Sequence, residues 1–219
     1  MRRRQLGEAG AELRRAVELA PGDMAAHYNL GRVLEMAGNS QEGRAELAKA
    51  REQNVKAQNA ILAKSMNNSA TRLLQERRFS DAAASLLEAK RLNPDDSTVR
   101  YNLGVALIGS GKLDEGIAEL REALRMNPDQ PDAYYYLGSA WLAKGQPADA
   151  VRALGEAIRL NPDDARAHNA RAVGLADLGR LAEAREEADS ALSLARGEPL
   201  FQKNADCLKR KLAGCRLGL

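Results

Sequence analysis

The sequence predicts an all-α protein made of repeated antiparallel helix pairs. Prolines 94, 128 and 162 stand 34 residues apart, in the strings NPDD, NPDQ and NPDD. Only 4% of the residues are aromatic although 44% are hydrophobic, so the apolar side chains are mostly alanine and leucine, which favour helices over strands. A fixed period of this length is typical of stacked helical units that bury their apolar faces against one another.

Three positions in every period hold only glycine or alanine. Five full periods start at Met24, Ala63, Ser97, Pro131 and Ala165, and the small residues occupy positions eight, 20 and 27 of each. Position eight, for example, holds Gly31, Ala70, Gly104, Gly138 and Ala172. Because two helices approach closely only where side chains are small, this pattern predicts that the two helices of each period pack in contact. Larger apolar residues, such as leucine at position 24, fill the remaining space.

These features, together with the string YNLG at Tyr28–Gly31 and Tyr101–Gly104, resemble the tetratricopeptide repeat (TPR). The resemblance implies a right-handed TPR solenoid of antiparallel helix pairs and covers nearly the whole chain. It predicts twelve helices: one unpaired, ten in pairs and one capping. It divides the sequence into a partial repeat with a second helix only (1–23), five repeats (24–57, 63–96, 97–130, 131–164, 165–198), an insertion (58–62) and a C-terminal capping helix (199–219).

The insertion predicts a departure from the regular pattern. Repeats one and two start 39 residues apart, at Met24 and Ala63, and no glycine or proline occurs between Gly43 and Pro94. Without a residue that breaks a helix, the second helix of repeat one is expected to continue into the first helix of repeat two. We therefore predict an unusually long or kinked helix across Gln53–Leu62.

The first helix has no partner from its own repeat. Leu13, Ala16 and Val17 lie on a face that the missing helix would cover. An uncovered apolar edge in a repeat protein indicates either self-association or absent upstream sequence. The sequence thus predicts self-association through this N-terminal edge as one of two outcomes.

Composition narrows the classes of partner. A net charge of +3 with both signs interspersed is too small to indicate nucleic acid, and Arg2, Arg3 and Arg4 form the only basic run. No apolar stretch approaches the roughly 20 residues of a membrane span. A soluble, cytoplasmic protein is the default expectation, although the compartment is unknown if an N-terminal leader is missing.

No constellation of residues suggests catalysis, so we expect a protein that is not an enzyme and uses no cofactor or metal. His27 and His168 both fall at position four of a first helix, where a packing role is expected because the partners for metal binding or acid–base chemistry are absent. Cys207 and Cys215 are eight residues apart on a predicted helix, a spacing that predicts no bridge between them.

The resemblance implies that the first helices line a concave groove that binds a partner protein or peptide. Tyrosine and asparagine recur at its inner positions five and six, and tyrosine supplies a flat apolar face with a hydroxyl. Repeats three and four have regular spacing, so their inner residues are expected to form one continuous patch. The predicted peptide-binding residues are Asn68, Tyr101, Asn102, Val105, Ile108, Tyr135, Tyr136 and Leu142.

Two alternatives remain beside the interaction scaffold. Asn29, Asn68 and Asn102 at position six resemble the asparagine ladder of protein O-GlcNAc transferases, which would make the chain a non-catalytic, substrate-binding arm of a larger glycosyltransferase. An envelope assembly factor similar to TPR lipoproteins is the other, but it requires an N-terminal lipobox cysteine that this sequence does not contain.

Overall fold

The computed structural model describes residues 2–210 and 217–218, which form eleven α-helices and no β-strand. The predicted all-α class is therefore confirmed. The helices are α1 (Arg2–Leu19), α2 (Met24–Met36), α3 (Ser40–Gln75), α4 (Phe79–Leu92), α5 (Ser97–Gly109), α6 (Leu113–Met126), α7 (Pro131–Ala143), α8 (Pro147–Leu160), α9 (Ala165–Asp177), α10 (Leu181–Leu194) and α11 (Pro199–Arg210).

Helix α3 replaces two helices that the repeat pattern treats as separate. It runs without interruption for 36 residues, through the five-residue insertion at 58–62. The prediction of a long helix across Gln53–Leu62 is confirmed. The described residues consequently form eleven helices rather than twelve, because the second helix of repeat one and the first helix of repeat two are one element.

The contacts divide the chain into two compact units, Met1–Ser65 and Met66–Leu219. In the first unit, α1 packs against α2, and α2 approaches the start of α3 at Gly31. A Cβ atom on Gly31 would lie 2.7 Å from the Cγ atom of Leu47, so only glycine fits there without displacement. The N-terminal edge is partly covered, since Leu13, Ala16 and Val17 are each half-buried. Self-association through this edge stays a prediction.

In the second unit, the helices pack as consecutive antiparallel pairs. Within pairs, α5 contacts α6, α7 contacts α8 and α9 contacts α10; between pairs, α6 contacts α7 and α8 contacts α9. The small residues allow this, since a Cβ atom on Gly104 would lie 2.7 Å from the Cγ atom of Leu120. Leucines fill the core, and several side chains are almost wholly buried: Leu86, Leu103, Leu120, Leu154 and Leu175.

The turns within the helix pairs have a left-handed residue at position 15. Four of the five are glycines with positive φ, which glycine adopts without steric cost: Gly38, Gly111, Gly145 and Gly179. Repeat two has Arg77 at this position, with a φ of 59°. A side chain in this conformation is strained by about 1–2 kcal/mol, so the turn of repeat two is less favourable than the other four.

The acidic strings between repeats supply helix caps. The Asp96 carboxylate accepts hydrogen bonds from the backbone N–H groups of Thr98 and Val99, at 2.9 and 3.2 Å. Asp23 caps α2 and Asp164 caps α9 in the same way. These side chains satisfy N–H groups that have no partner within their helices, so they fix where α2, α5 and α9 begin.

The last described helix, α11, packs against α10. Its Cys207 is buried and takes part in a disulfide, whereas the sequence spacing predicted no bridge between Cys207 and Cys215. That prediction assumed one helix extending through both cysteines, whereas α11 is described only to Arg210 and Cys215 lies outside the described residues.

Among the described helices, none combines the length and apolar character needed to cross a membrane.

Candidate functional site

The second unit contains an open groove of about 520 Å³ between the first helices of its repeats. We call it the tyrosine groove, because two tyrosine rings form part of its wall. It is lined by Thr71, Leu74 and Gln75 of α3, Phe79 of α4, Tyr101, Asn102, Val105, Ile108 and Gly109 of α5, and Tyr136 of α7. None of these ten residues carries a charge, so the groove suits apolar or neutral polar groups.

The structure brings five of the eight predicted site residues together in the tyrosine groove: Tyr101, Asn102, Val105, Ile108 and Tyr136. Val105 and Ile108 lie one helical turn apart on α5 and are both half-buried. Asn68, Tyr135 and Leu142 do not line the groove, and the Asn68 side chain is exposed. The predicted patch is therefore only partly contiguous.

Tyr135 and Leu142 lie outside the groove because they pack toward repeat five. Both contact an apolar cluster formed by Ala150, Leu154 and Ala170. Tyr135 also touches the ring of Tyr136 edge-on, with the ring centroids 5.3 Å apart. Tyr135 thus supports the wall of the groove from behind without forming its surface.

Sequence reasoning missed part of the groove. Phe79, the first residue of α4, packs so closely under α5 that a Cβ atom on Gly109 would lie 2.4 Å from the Cδ1 atom of Phe79. The family pattern places inner residues on first helices, whereas Phe79 begins a second helix. Leu74 occupies position 12 of repeat two, equivalent to Ile108 and Leu142, and it was missed because the predicted patch was drawn mainly from repeats three and four. The sequence offered one signal for this contact: the chain contains only two phenylalanines, so Phe79 is an unusual residue whose ring needs space such as Gly109 leaves.

The tyrosine rings form an aromatic wall with neutral hydroxyl groups. The ring centroids of Tyr101 and Tyr136 are 6.1 Å apart and the rings are inclined at 60°, a geometry that aromatic pairs favour. Burial raises the pKa of both phenols above the ordinary value of 10.0. Each hydroxyl therefore stays protonated near neutral pH and can donate or accept a hydrogen bond.

An asparagine pair closes one side of the groove. The amide Nδ2 of Asn102 donates a hydrogen bond to Oδ1 of Asn67 at 2.8 Å, and Asn102 is buried. Asn68 and Asn102 were predicted to offer their amides to a peptide from successive repeats, whereas the observed bond runs from Asn102 at position six of one repeat to Asn67 at position five of the preceding one. A pair with the same separation of 35 residues recurs at Asn169 and Asn204, where the bond measures 2.7 Å.

Arg166, a cation near the tyrosine groove, forms ion pairs with two aspartates. The Arg166 guanidinium donates hydrogen bonds to Asp132 and to Asp164, both at 2.8 Å, and it lies 4.8 Å from the ring centroid of Tyr135. Burial by itself would raise the pKa of Asp164, but Arg166 lowers it below the ordinary value. Arg166 therefore links repeats four and five and is not an unpaired cation facing the groove.

The two histidines join the helices of their own repeats. In repeat five, His168 places Nδ1 2.6 Å from Glu187 Oε2 and Nε2 2.9 Å from the carbonyl oxygen of Pro162. His27 makes the same two contacts in repeat one, with Glu46 and Pro21. Since carboxylates and carbonyls only accept, both ring nitrogens must donate, which requires a protonated imidazolium. The hydrogen bond to the glutamate raises the pKa of each histidine, and the bond to the proline carbonyl adds to this.

Repeat three supports this assignment with a residue that is always charged. Arg100 occupies the same repeat position and donates Nη1 to Glu119 at 3.1 Å and Nε to the Pro94 carbonyl at 3.1 Å. Position four therefore holds a cation in three of the five repeats. The histidines have a structural role, as the sequence predicted, but that role is an ion pair and not apolar packing.

This arrangement predicts a specific pH dependence. Because the pKa of His168 is raised above its unfolded value of 6.5, its contribution to stability is complete below pH 6.5 and is lost as pH rises through the folded pKa. Substituting His168→Arg should remove this loss, so the variant is expected to exceed the wild type in stability at pH 9 by about 1.5 kcal/mol. Denaturant unfolding at pH 6 and pH 9 tests this. An identical pH dependence in the two proteins contradicts the assignment.

Over residues 2–210 and 217–218, no three histidine, cysteine, aspartate or glutamate side chains form a group that could hold a metal ion. The carboxylates described above are hydrogen-bonded to arginine, histidine or backbone N–H groups. The described lining of the tyrosine groove offers apolar contact and neutral hydrogen bonding.

Known proteins provide an independent comparison. Family models for the tetratricopeptide repeat match residues 1–57, residues 73–137 and 107–174, and residues 165–190. Together these segments cover well over half of the chain. Among curated proteins, none matches.

Solved structures share the fold at low sequence identity. MamA from Desulfovibrio magneticus RS-1 is 23% identical, with a TM-score of 0.62 over 68% of this chain and 84% of that one. YrrB, described as a TPR protein with an unusual peptide-binding site, is 18% identical, with a TM-score of 0.59 over 91% and 98%. The Thermobaculum terrenum O-GlcNAc transferase is 23% identical, with a TM-score of 0.57 over 62% of this chain and 26% of that one. The repeat spacing, the paired helices and the family matches show that this chain belongs to the tetratricopeptide repeat family.

Proposed function

We propose that the chain is a protein-interaction scaffold that binds a segment of a partner protein in the tyrosine groove and holds it without chemical turnover. One observation supports the proposal most: the groove is open, largely apolar and lined by no charged residue. Accessible apolar surface gathered in a concave site is typical of a binding surface. The similarity to YrrB, whose structure is described as having a peptide-binding site, is consistent with this function.

The lining residues suggest how a partner segment would be held. Val105, Ile108 and Phe79 offer a continuous apolar floor for one or two large side chains. Tyr101 and Tyr136 add flat apolar faces, and their neutral hydroxyls can bond to a peptide backbone. The ligand that fits is therefore an extended or helical segment with apolar anchor residues, and not an acidic or basic peptide.

A charge placed on the floor of the groove tests the proposal. Val105→Asp should abolish capture of partners that the wild-type chain recovers from its native extract, because a buried unpaired carboxylate costs several kcal/mol. Leu87→Asp is the matched control, since Leu87 lies on α4, is 49% exposed and does not line the groove. Melting of all three proteins is compared first. If a folded Val105→Asp variant recovers the same partners as the control, the groove is not the binding site.

The alternative of a substrate-binding arm in a larger glycosyltransferase relies on a ladder of position-six asparagines. In this chain the Asn102 amide donates to Asn67 of position five, which departs from a row of unengaged position-six amides and supports the general scaffold. The likeness to the O-GlcNAc transferase concerns the fold. A catalytic domain encoded downstream in the same gene would favour the alternative. No observation favours the envelope assembly factor.

A further inference from the structure

The asparagine pair of the last repeats, Asn169 and Asn204, differs from the pair beside the tyrosine groove because it binds a backbone segment of the chain itself. Asn169 on α9 and Asn204 on α11 are 3% and 0% exposed. Asn204 accepts a hydrogen bond from the backbone N–H of Gly218 at 3.0 Å and donates one to the carbonyl oxygen of Gly218 at 2.8 Å. Asn169 donates a second bond to the same carbonyl at 3.2 Å.

These contacts give each side-chain oxygen and nitrogen of the pair at least one partner. The two N–H bonds of the Asn204 amide point to Asn169 Oδ1 and to the Gly218 carbonyl, while its own carbonyl receives the Gly218 N–H. One side-chain amide thus pairs with both the donor and the acceptor of a single backbone residue. This is how an amide recognises a peptide main chain independently of its side chains.

Selectivity comes from the neighbouring apolar atoms. Leu217 packs against an apolar cluster that includes Ala172, Ala205 and Leu208. At the next residue, a Cβ atom on Gly218 would lie 2.7 Å from the Cδ1 atom of Leu200. A side chain at this position would have to displace the Leu200 methyl group, so the site favours a large apolar residue followed by glycine.

An asparagine pair of this kind also forms without a bound backbone segment. Asn67 and Asn102 make the equivalent amide bond at 2.8 Å, and no described residue bonds to Oδ1 of Asn102 or Nδ2 of Asn67. Leu200, which contacts Gly218 in the last unit, has Thr98 as its equivalent beside Asn102, three periods of 34 residues earlier. The backbone ligand at Asn204 is thus an addition to the asparagine pair and not a condition for its formation.

We propose that Asn169 and Asn204 form a second peptide-binding site, which takes an extended segment with a large apolar residue followed by glycine. The chain's own Leu217–Gly218 occupies it. Because a tethered segment has an effective concentration on the order of millimolar, a free segment with the same contacts binds only when the tethered one is displaced. This site is separate from the tyrosine groove and does not depend on the function proposed for that groove.

Competition in trans tests the proposal on the full chain. The variant Leu217→Asp/Gly218→Pro removes the apolar anchor and the N–H group that Asn204 accepts. The probe is a fluorescent heptapeptide with the sequence of residues 213–219 and C215S, and its binding is followed by anisotropy. We expect the variant to bind the probe at least tenfold more tightly than the wild type does. The matched control peptide, which also carries G218P, should not bind the variant. Equal binding of the two peptides, or no binding of the probe by a variant that melts like the wild type, overturns the proposal.

A second measurement needs no variant. In the unmodified chain the Gly218 backbone N–H should exchange with solvent at least tenfold more slowly than an unprotected glycine does, because Asn204 accepts it in a buried setting. Hydrogen exchange followed by NMR reports this rate directly. Exchange at the unprotected rate means that the segment does not occupy the site, and the proposal is then wrong.

Discussion

Replacing Leu120 by alanine should destabilise the protein by about 2–5 kcal/mol, the range for large-to-small substitutions in a core. Leu120 is fully buried and belongs to an apolar cluster that includes Leu124, Leu137 and Ala140. Its Cγ atom also covers the bare backbone of Gly104. The substitution therefore removes contacts within repeat three and contacts to repeat four at the same time.

Collapse around the missing side chain is limited because several neighbouring positions, such as Gly104, Ala133 and Ala140, hold residues too small to fill the space. The matched control is Leu87→Ala, since Leu87 is 49% exposed and its loss should change stability by no more than about 0.5 kcal/mol. Unfolding in guanidinium chloride measures both variants. A loss of stability in Leu120→Ala no larger than that of the control contradicts the packing described here.

The second large effect is expected in binding. Tyr136→Ala should weaken the affinity for a partner segment roughly thirtyfold, equivalent to about 2 kcal/mol. Tyr136 is the one groove residue contributed by α7, and it contacts both Tyr101 and Tyr135. Truncation therefore removes ligand contact and also loosens the aromatic wall.

Tyr134→Ala is the control for this measurement. Tyr134 is half-buried on the same helix and packs against the core, but it does not line the groove. The two variants lose the same side chain from rings that pack against the same core cluster, so the expected difference between them is in affinity. Isothermal titration with a purified partner segment compares them. If Tyr134→Ala weakens binding as much as Tyr136→Ala does, groove contact is not the cause.

The repeat architecture could be predicted from the sequence because it depends on local features. The period of the prolines, the small residues at three positions and the capping aspartates each act within one unit or between adjacent units. The same reasoning predicted the long α3, since the absence of a breaker after Gly43 is a local property. It gave one helix too many because repeat boundaries were treated as helix ends even where no residue stops the helix.

The site was harder to predict because it depends on how neighbouring repeats are rotated. A position number says which residues are equivalent, but not which ones touch. Asn102 bonds to Asn67, which occupies a different repeat position, so grouping Asn68 and Asn102 by equal position did not reveal this contact. Tyr135 faces repeat five because Ala170 and Arg166 provide contacts there. Phe79 enters the groove because Gly109 leaves room for its ring.

The partners of the two histidines were also not predicted from the sequence. Each histidine was predicted to be structural because no second ligand or base was nearby in sequence. Its glutamate partner lies 19 residues away in the paired helix. Arg100 and Glu119 have the same separation, and the pattern is recognised only when these pairs are compared. Recurrence of one contact in several repeats is a feature that a repeat sequence offers, and it identifies such pairs when all repeats are aligned together.

The most direct test of the central claim follows the isoleucine methyl groups by NMR. The chain has four isoleucines, and they sample four environments: Ile108 in the tyrosine groove, Ile61 exposed on α3, Ile117 in the core, and Ile158 half-buried on α8. Selective δ1-methyl labelling gives one resonance for each. Titration with a partner segment should shift the Ile108 resonance saturably and leave those of Ile61 and Ile158 in place. A saturable shift at Ile61 or Ile158 with an unchanged Ile108 would contradict the account.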